Sequence, residues 1–327
     1  MPLSPPTADT PAADAAPSVE APAAPTVSVL VVSYNTREMT LACLASLAAQ
    51  TRLPHEVIVV DNASTDGSAE AIAAAFPDLT LLLPGRNLGF AAATNRAAEA
   101  ARGDYLLLLN PDTVVLDRAV DRLVEVARAH PEAGIWGGRT VFADGSLNPT
   151  SVLAHTTLFS LFAIAVGLAR AFPDSARLNA ENYGGWPRDT LRPVDIVTGC
   201  FLLIPRPLWQ RLGGFDERFT MYGEETDLCL RATALGAAPL FAPGPTIVHH
   251  GGASEPVRAD KMVRLIAAKI TLMQKHWSPS RVWAGQRLYL LMALLRRIGP
   301  PSPRTRAWAE IWRRRAEWLH GFGPPQP

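Results

Sequence analysis

Between Val27 and Asp112 the chain alternates short apolar runs with Ala-rich segments, and this rhythm restricts the fold more than any other feature. VSVLVVSYN, HEVIVVDNASTDGS, LTLLLP and DYLLLLNPD begin or consist of Val, Ile and Leu runs that read as four strands. Between them lie helical stretches from about Glu38 to Gln50, through Ala69–Ala75 before Pro77, and along FAAATNRAAEAAR. Strands that are apolar throughout, rather than alternating, are covered on both faces. Strand and helix in turn then predict a doubly wound α/β fold on a mostly parallel sheet. Such sheets bind ligands beyond the carboxyl ends of their strands. Tyr34-Asn35, Asp61-Asn62 and Asn110-Pro111-Asp112, which end three of the runs, are therefore the first candidates for a site. Pro111 cannot donate to a ladder, so the fourth strand should stop near it and leave Asp112 at the edge.

Further along, a helix is expected from about Asp117 to His130 and a strand over IWGGRTVF. VDIVTGCFLLI reads as one more strand, GEETDLCLRATALG as a helix stopped by Gly236, and Pro239–Ala242 as a short strand leading to TIVHHGGAS. Residues 153–169 contain no Lys, Arg, Asp or Glu but fall short of a comfortable membrane span, so a buried or interfacial helix is expected. In RVWAGQRLYLLMALLRRI (281–298), Leu288, Leu291, Leu295 and Ile298 recur at helical spacing with Arg at both ends. That pattern suits either an interfacial helix or a core-packing one.

The formal charge of +1 provides no global field to recruit nucleic acid. The charge is uneven, however: Arg281 to His320 holds nine Arg against Glu310 and Glu317, which suits an anionic membrane surface. Cys43, Cys200 and Cys229 form no CxxC pair and no even set, and read as buried free thiols of a reducing compartment. Residues 1–26, mostly Ala and Pro, are expected to stay disordered, and they lack the basic start and apolar stretch of a secretory signal.

Chemistry is suggested by four short groups. DNASTDGS reads either as a strand-to-helix turn with its caps or as a nucleotide contact through Asp61. There is no GxGxxG after the first strands and no GxxxxGK[ST], which argues against a dinucleotide fold and a P-loop. Asp112 could cap a helix, or serve as the single carboxylate that a cation on a diphosphate needs. His249-His250 stand at a strand end beside Gly251-Gly252 and are a site candidate. Glu224, Glu225 and Asp227 at the first turn of a helix suit its dipole. Three acids in four residues also repel, which raises at least one pKa toward a base's working range.

Taken in order, VSVLVVSYN, VDNASTDGS, NLGFAAATNRA, LLLLNPDT, GCFLLIPRPLWQRLGGFDERF, MYGEETDLCLR and VHHGGAS resemble an inverting family 2 glycosyltransferase of the GT-A fold, nearest its rhamnosyltransferase branch. The resemblance runs from about Val27 to Ser254, or as far as Trp277. It implies a Rossmann-like GT-A domain over 27–277, divided into a nucleotide-binding part (27–117) and an acceptor-side part (118–277). A basic helical extension (278–327) would follow. It further implies that Tyr34 and Asp61 face the nucleobase and ribose, with Asn35, Asn87, Gly89, Asn95 and Asn110 among the nucleotide-sugar contacts. Asp112 would be the last residue of the DxD element, holding Mg²⁺ or Mn²⁺ with His249. Asn110 departs from that element's first Asp. Glu224-Glu225 would occupy the Glu-Asp site, with Glu225 as base, Glu224 as fallback, and Asp227 and Arg231 completing the helix motif. Glu225 stands where the family usually has Asp. The implied donor is a nucleoside diphosphate sugar, with dTDP-rhamnose a candidate, and the acceptor a glycan or lipid-linked saccharide. The implied location is cytoplasmic, peripheral on the inner face of the cell membrane. A nucleotidyltransferase would need a Gly-rich, Lys/Arg-bearing loop after the first strand, and SYNTREMT offers none. A degenerate sugar-nucleotide or glycan-binding module is the non-enzymatic alternative.

Overall fold

The computed structural model describes residues 26–251 and 258–323. Three βα units and a fourth strand open the described chain: β1 (Val27–Ser33), α1 (Arg37–Gln50), β2 (His55–Asp61), α2 (Ser68–Ala75), β3 (Thr80–Leu82), α3 (Phe90–Ala100) and β4 (Tyr105–Leu109). After Pro111 come β5 (Thr113–Val115), α4 (Ala119–Ala129) and β6 (Trp136–Val141). An insertion follows with β7 (Val152–Leu153), α5 (Leu158–Ala165), α6 (Leu168–Ala171), β8 (Arg192–Pro193) and β9 (Ile196–Val197). The chain then returns as β10 (Phe201–Pro205), α7 (Arg206–Leu212), α8 (Glu224–Ala234) and β11 (Leu240–His249). Four helices end it: α9 (Arg258–His276), α10 (Pro279–Arg296), α11 (Pro303–Arg313) and α12 (Arg315–Trp318).

The main sheet has the order β3-β2-β1-β4-β10-β6-β11-β5, with β8 beside β11. β3, β2, β1 and β4 run parallel, as do β6 and β11, while β10 lies antiparallel between the two groups. The mostly parallel α/β architecture expected from the apolar runs is thus present. Every residue of β1 is buried, and alternate side chains serve opposite faces. Val27, Val29 and Val31 pack toward α1 and α4, and Leu30 and Val32 toward α3 and α8. A third core joins α5 to the final helices through Leu161, Ile266, Met292, Trp308 and Trp318.

Several local expectations change. Residues 194–204 are not one strand: β9 pairs with β7 in a small second sheet, and only β10 enters the main one. The break at Thr198–Cys200 is held open because Thr198 donates both its backbone N–H and its Oγ1 to Ser151 O. The short strand expected over 239–242 is the start, from Leu240, of a longer strand, β11, whose register shifts between Phe241 and Thr246 around Pro243-Gly244-Pro245. The apolar 153–169 stretch is interrupted: Gly167, with φ +87°, ends α5 and starts α6. No described helix is long and apolar enough to cross a membrane.

Candidate active site

Strand direction decides which side chains meet. β1, β2 and β4 all end at one sheet edge because they are parallel. β10 runs against β4, so its first residues lie there, and β6 and then β11 run back toward the same edge. That edge therefore gathers the ends of β1, β2, β4 and β11 with the start of β10.

At the first two strand ends Tyr34 is 44% exposed and Asn35 adopts φ +51°. Asn35 Oδ1 accepts from Thr65 N at 2.8 Å, which ties the two turns together. Asp61 is buried: its Oδ1 accepts from Ser64 N at 2.9 Å, and its Oδ2 has no partner. Asn62, which carried no assigned role in the sequence, organises the next loop. Its Nδ2 donates to Asn87 Oδ1 (3.0 Å) and its Oδ1 accepts from Leu88 N (2.8 Å). Asn87 Oδ1 also accepts from Gly89 N. Gly89 has φ +81°, and a Cβ there would lie 2.8 Å from Thr220 O, so only glycine lets this loop meet the segment before α8. Asn95 proves to be engaged elsewhere. Its amide donates to Phe215 O and Glu217 Oε1 and accepts from Phe215 N, so it clamps α3 to the 215–217 turn instead of facing a donor.

At the end of β4, Asn110 N donates to Cys200 O and Asn110 O accepts from Thr113 Oγ1, which fixes the turn carrying Asp112. β5 pairs with β11 so that His249 stands opposite Thr113, next to Asp112. His249 Nε2 lies 3.4 Å from Asp112 Oδ1, and His249 Nδ1 is buried without a partner. Burial would raise the Asp112 pKa, but the His249 imidazole and nearby backbone amides hold it below its ordinary value. Burial works against charge on His249, yet Cys200 and the Asp112 carboxylate push it up to about 10. His250 is exposed, and only its backbone N–H reaches Asp112 O. Gly252–Ser254, which complete the sequence motif, lie outside the described residues.

The described residues hold no cluster of three or more His, Cys, Asp or Glu that could cage a metal ion. One carboxylate and one imidazole nonetheless fit a cation that takes its remaining ligands from diphosphate oxygens and water. The orphaned His249 nitrogen and the charge of the pair match such an ion better than a hydrophobic ligand. Binding would take the lone pair that the proton holds.

α8 supplies the acids. Gly223, with φ +90°, turns the chain into the helix, and an added Cβ would press on the Phe219 ring at 3.1 Å. Glu224 is 5% exposed and its Oε2 has no partner. Burial and the adjacent Glu225 carboxylate push its pKa well up. Glu225 is half-buried, and its Cβ lies 3.9 Å from where a Gly199 Cβ would stand, so it borders the start of β10. Burial raises its pKa too, opposed by backbone amides and by Lys269 of α9. Lys269 was not visible as a site residue in the sequence, because 44 positions separate it from Glu225 and only the packing of α9 brings its charge near.

Asp227 does not join the two glutamates. One of its oxygens meets Arg231 Nε at 2.7 Å, and the other meets Lys275 Nζ and His276 Nε2 at 2.8 Å. With its pKa held down by these groups against burial, it is a fully neutralised tie between α8 and α9. A carboxylate held by Arg231 and Lys275, with a further bond to His276, is a poor proton acceptor. Arg231 extends the tie by donating to Leu212 O and Gly214 O.

Known proteins resemble this chain in sequence and in fold. The family model for "Glycosyl transferase family 2" matches residues 28–184. An N-acetylglucosaminyl-diphospho-decaprenol L-rhamnosyltransferase of Mycobacterium tuberculosis is 30% identical over 248 residues, covering 68% of this chain and 75% of that protein. The O-antigen biosynthesis protein RfbC of Myxococcus xanthus is 32% identical over 240 residues, covering 72% of this chain but 18% of its own length. In fold, the chain resembles a mannosyltransferase of Pyrobaculum calidifontis solved with GDP-Man and Mn²⁺. The TM-score is 0.53 at 19% identity, over 90% of this chain and 76% of that one. With a GT-A-type α/β sheet and relatives of this extent, the chain belongs to glycosyl transferase family 2 and is a glycosyltransferase.

Proposed function

We propose that the enzyme moves a sugar, with rhamnose the first candidate, from a nucleoside diphosphate donor to a lipid-linked saccharide or glycan, with inversion at the anomeric carbon. The setting proposed is cell-surface polysaccharide synthesis at the inner face of the cell membrane. The rhamnosyltransferase and O-antigen relatives support that setting.

One observation carries the reading. A single sheet edge gathers Asp61, Asp112, His249 and Glu225 from distant parts of the chain, and buried polar atoms there lack internal partners. Asp61 Oδ2, Glu224 Oε2 and His249 Nδ1 are three of these. Each such group costs about 1–3 kcal/mol when left unpaired, which a bound ligand can offset. Asp61 and Tyr34 would receive the ribose and base, and the Asn62–Asn87–Gly89 loop would shape the sugar-diphosphate path. Asp112 and His249 would hold Mg²⁺ or Mn²⁺, which when bound supplies charge stabilisation for the departing diphosphate.

Glu225 is the proposed base, with Glu224 as the second carboxylate. It removes the proton of the acceptor hydroxyl as that oxygen bonds to the anomeric carbon and the bond to the diphosphate breaks. Its raised pKa gives the carboxylate more basicity than an exposed one. Lys269 favours the ionised form that the step requires.

The test is donor-dependent release of nucleoside diphosphate, run over a panel of nucleotide-sugars with Mg²⁺ or Mn²⁺. Release that vanishes in Asp112→Ala and in Glu225→Gln supports the reading. Equal release in Glu225→Gln removes that residue as base.

A further inference from the structure

Two helices carry large apolar side chains outward. On α5 these are Phe159 (46% exposed), Phe162 (41%) and Val166 just past its end (38%), spaced so that they share one face. Leu161 and Ala165 on the same helix are buried in the core beneath. Along α10 the buried residues are Gly285, Tyr289, Met292 and Ala293. Its opposite face carries Trp283 (59% exposed) and Leu295 (41%), and just beyond it Ile298 (67%). α5 and α10 pack against one another, and Arg296 Nη2 donates to Ile164 O at 2.8 Å, so the ends of the two stripes are held together.

The two segments themselves carry charge of one sign. Pro279–Ile298 contains Arg281, Arg287, Arg296 and Arg297 and no acid, and Leu153–Phe172 contains Arg170 and no acid. These five arginines take no carboxylate partner among the described residues. Arg281 lies over the Trp277 ring and Arg287 over the Trp283 ring, which orients the guanidinium groups without neutralising them. Burial and the like charge of Arg170 both lower the pKa of Arg296.

We infer that this α5–α10 face is the surface by which the enzyme seats on an anionic lipid bilayer. The inference deepens the proposed action on a lipid-linked acceptor and rests on it. Self-association through the same face would set arginine against arginine. An acidic headgroup layer matches both features: rings and aliphatic chains enter the acyl boundary while guanidinium groups take phosphates. The contact is interfacial, since no described helix can span. It shifts the stripe read from the sequence: Leu295 and Ile298 stand out as read, joined by Trp283 and the α5 residues, whereas Leu288 and Leu291 are partly buried.

Vesicle co-sedimentation of the full chain tests this, with phosphatidylglycerol-containing vesicles against pure phosphatidylcholine at low salt. The wild type should pellet with the anionic vesicles only. Arg287→Gln with Arg297→Gln should weaken binding by about fivefold per arginine. Phe162→Ser with Ile298→Ser should weaken it further, while nucleoside diphosphate release in solution stays unchanged in both variants. Undiminished vesicle binding by both variants, or no binding by the wild type, overturns the inference. Absence of release in the wild type with vesicle binding intact would instead overturn the proposed donor and site roles and leave the face standing.

Discussion

Within one turn of α8 the same chemistry meets two environments. Glu224, buried, and Glu225, half-buried with Lys269 acting on it, open the helix at the sheet edge, and both pKa values rise. Asp227 lies two residues on, faces α9, and is surrounded by Arg231, Lys275 and His276, so its pKa falls. An acid with unmet capacity has something left to do for a ligand, whereas a satisfied one has already spent it on the fold. Asp216 repeats the second case: Arg218 bonds it and Lys275 Nζ stands 2.6 Å away.

The contrast predicts opposite consequences for similar substitutions. Glu225→Gln keeps the shape of the site and should lower kcat by about 10²–10⁴-fold, with the melting temperature unchanged or higher. The acid limb of the wild-type pH–rate profile should lie above the ordinary carboxylate range, because the base works only once ionised and its pKa is raised. A wild-type limb at the ordinary value would break the comparison from the Glu225 side.

Asp112→Ala should weaken metal-dependent donor binding by at least about a hundredfold, since it removes the one carboxylate beside His249. A thermal-shift titration of donor with and without Mn²⁺ reads this directly. Persistence of the metal-dependent shift would place the cation elsewhere.

Asp227→Ala should instead destabilise the fold by about 3–5 kcal/mol, because Arg231, Lys275 and His276 all lose a fully buried carboxylate. Urea unfolding measures this. The wild-type contribution should be present above the unfolded pKa, near 3.8, and fade as pH falls through the lower folded value. Any fall in activity in this variant should leave the pH limb where it is.

The smallest effect is expected at Glu224. Its folded pKa exceeds the ordinary 4.5, so the native state binds the proton more tightly and stability declines as pH rises above that value. Glu224→Gln should therefore raise the melting temperature at neutral pH and change little at pH 4. A drop at neutral pH would show that the carboxylate has a stabilising partner.

Much of this was legible from short stretches. Strand ends at Tyr34, Asp61 and Asp112 could be marked because each apolar run stops on polar residues, and strand polarity alone assigns them to one edge. Asn95 and Asp227 could not be separated from the site residues, because an amide or carboxylate reads the same whether a ligand or another loop satisfies it. Phe215 and Glu217 are more than a hundred positions from Asn95, and His276 is 49 from Asp227. The same limit concealed Lys269 and the place of Trp283 on the outward face of α10.

The sequence by itself determined the parallel α/β sheet, its polar carboxyl edge and the family, since these rest on local periodicity, strand termini and motif order. The tertiary structure alone decided which acids remain unpaired, which cations tune them, and which apolar stripe faces outward. Pairing and exposure depend on what packs opposite a residue, and its partner here comes from a distant helix.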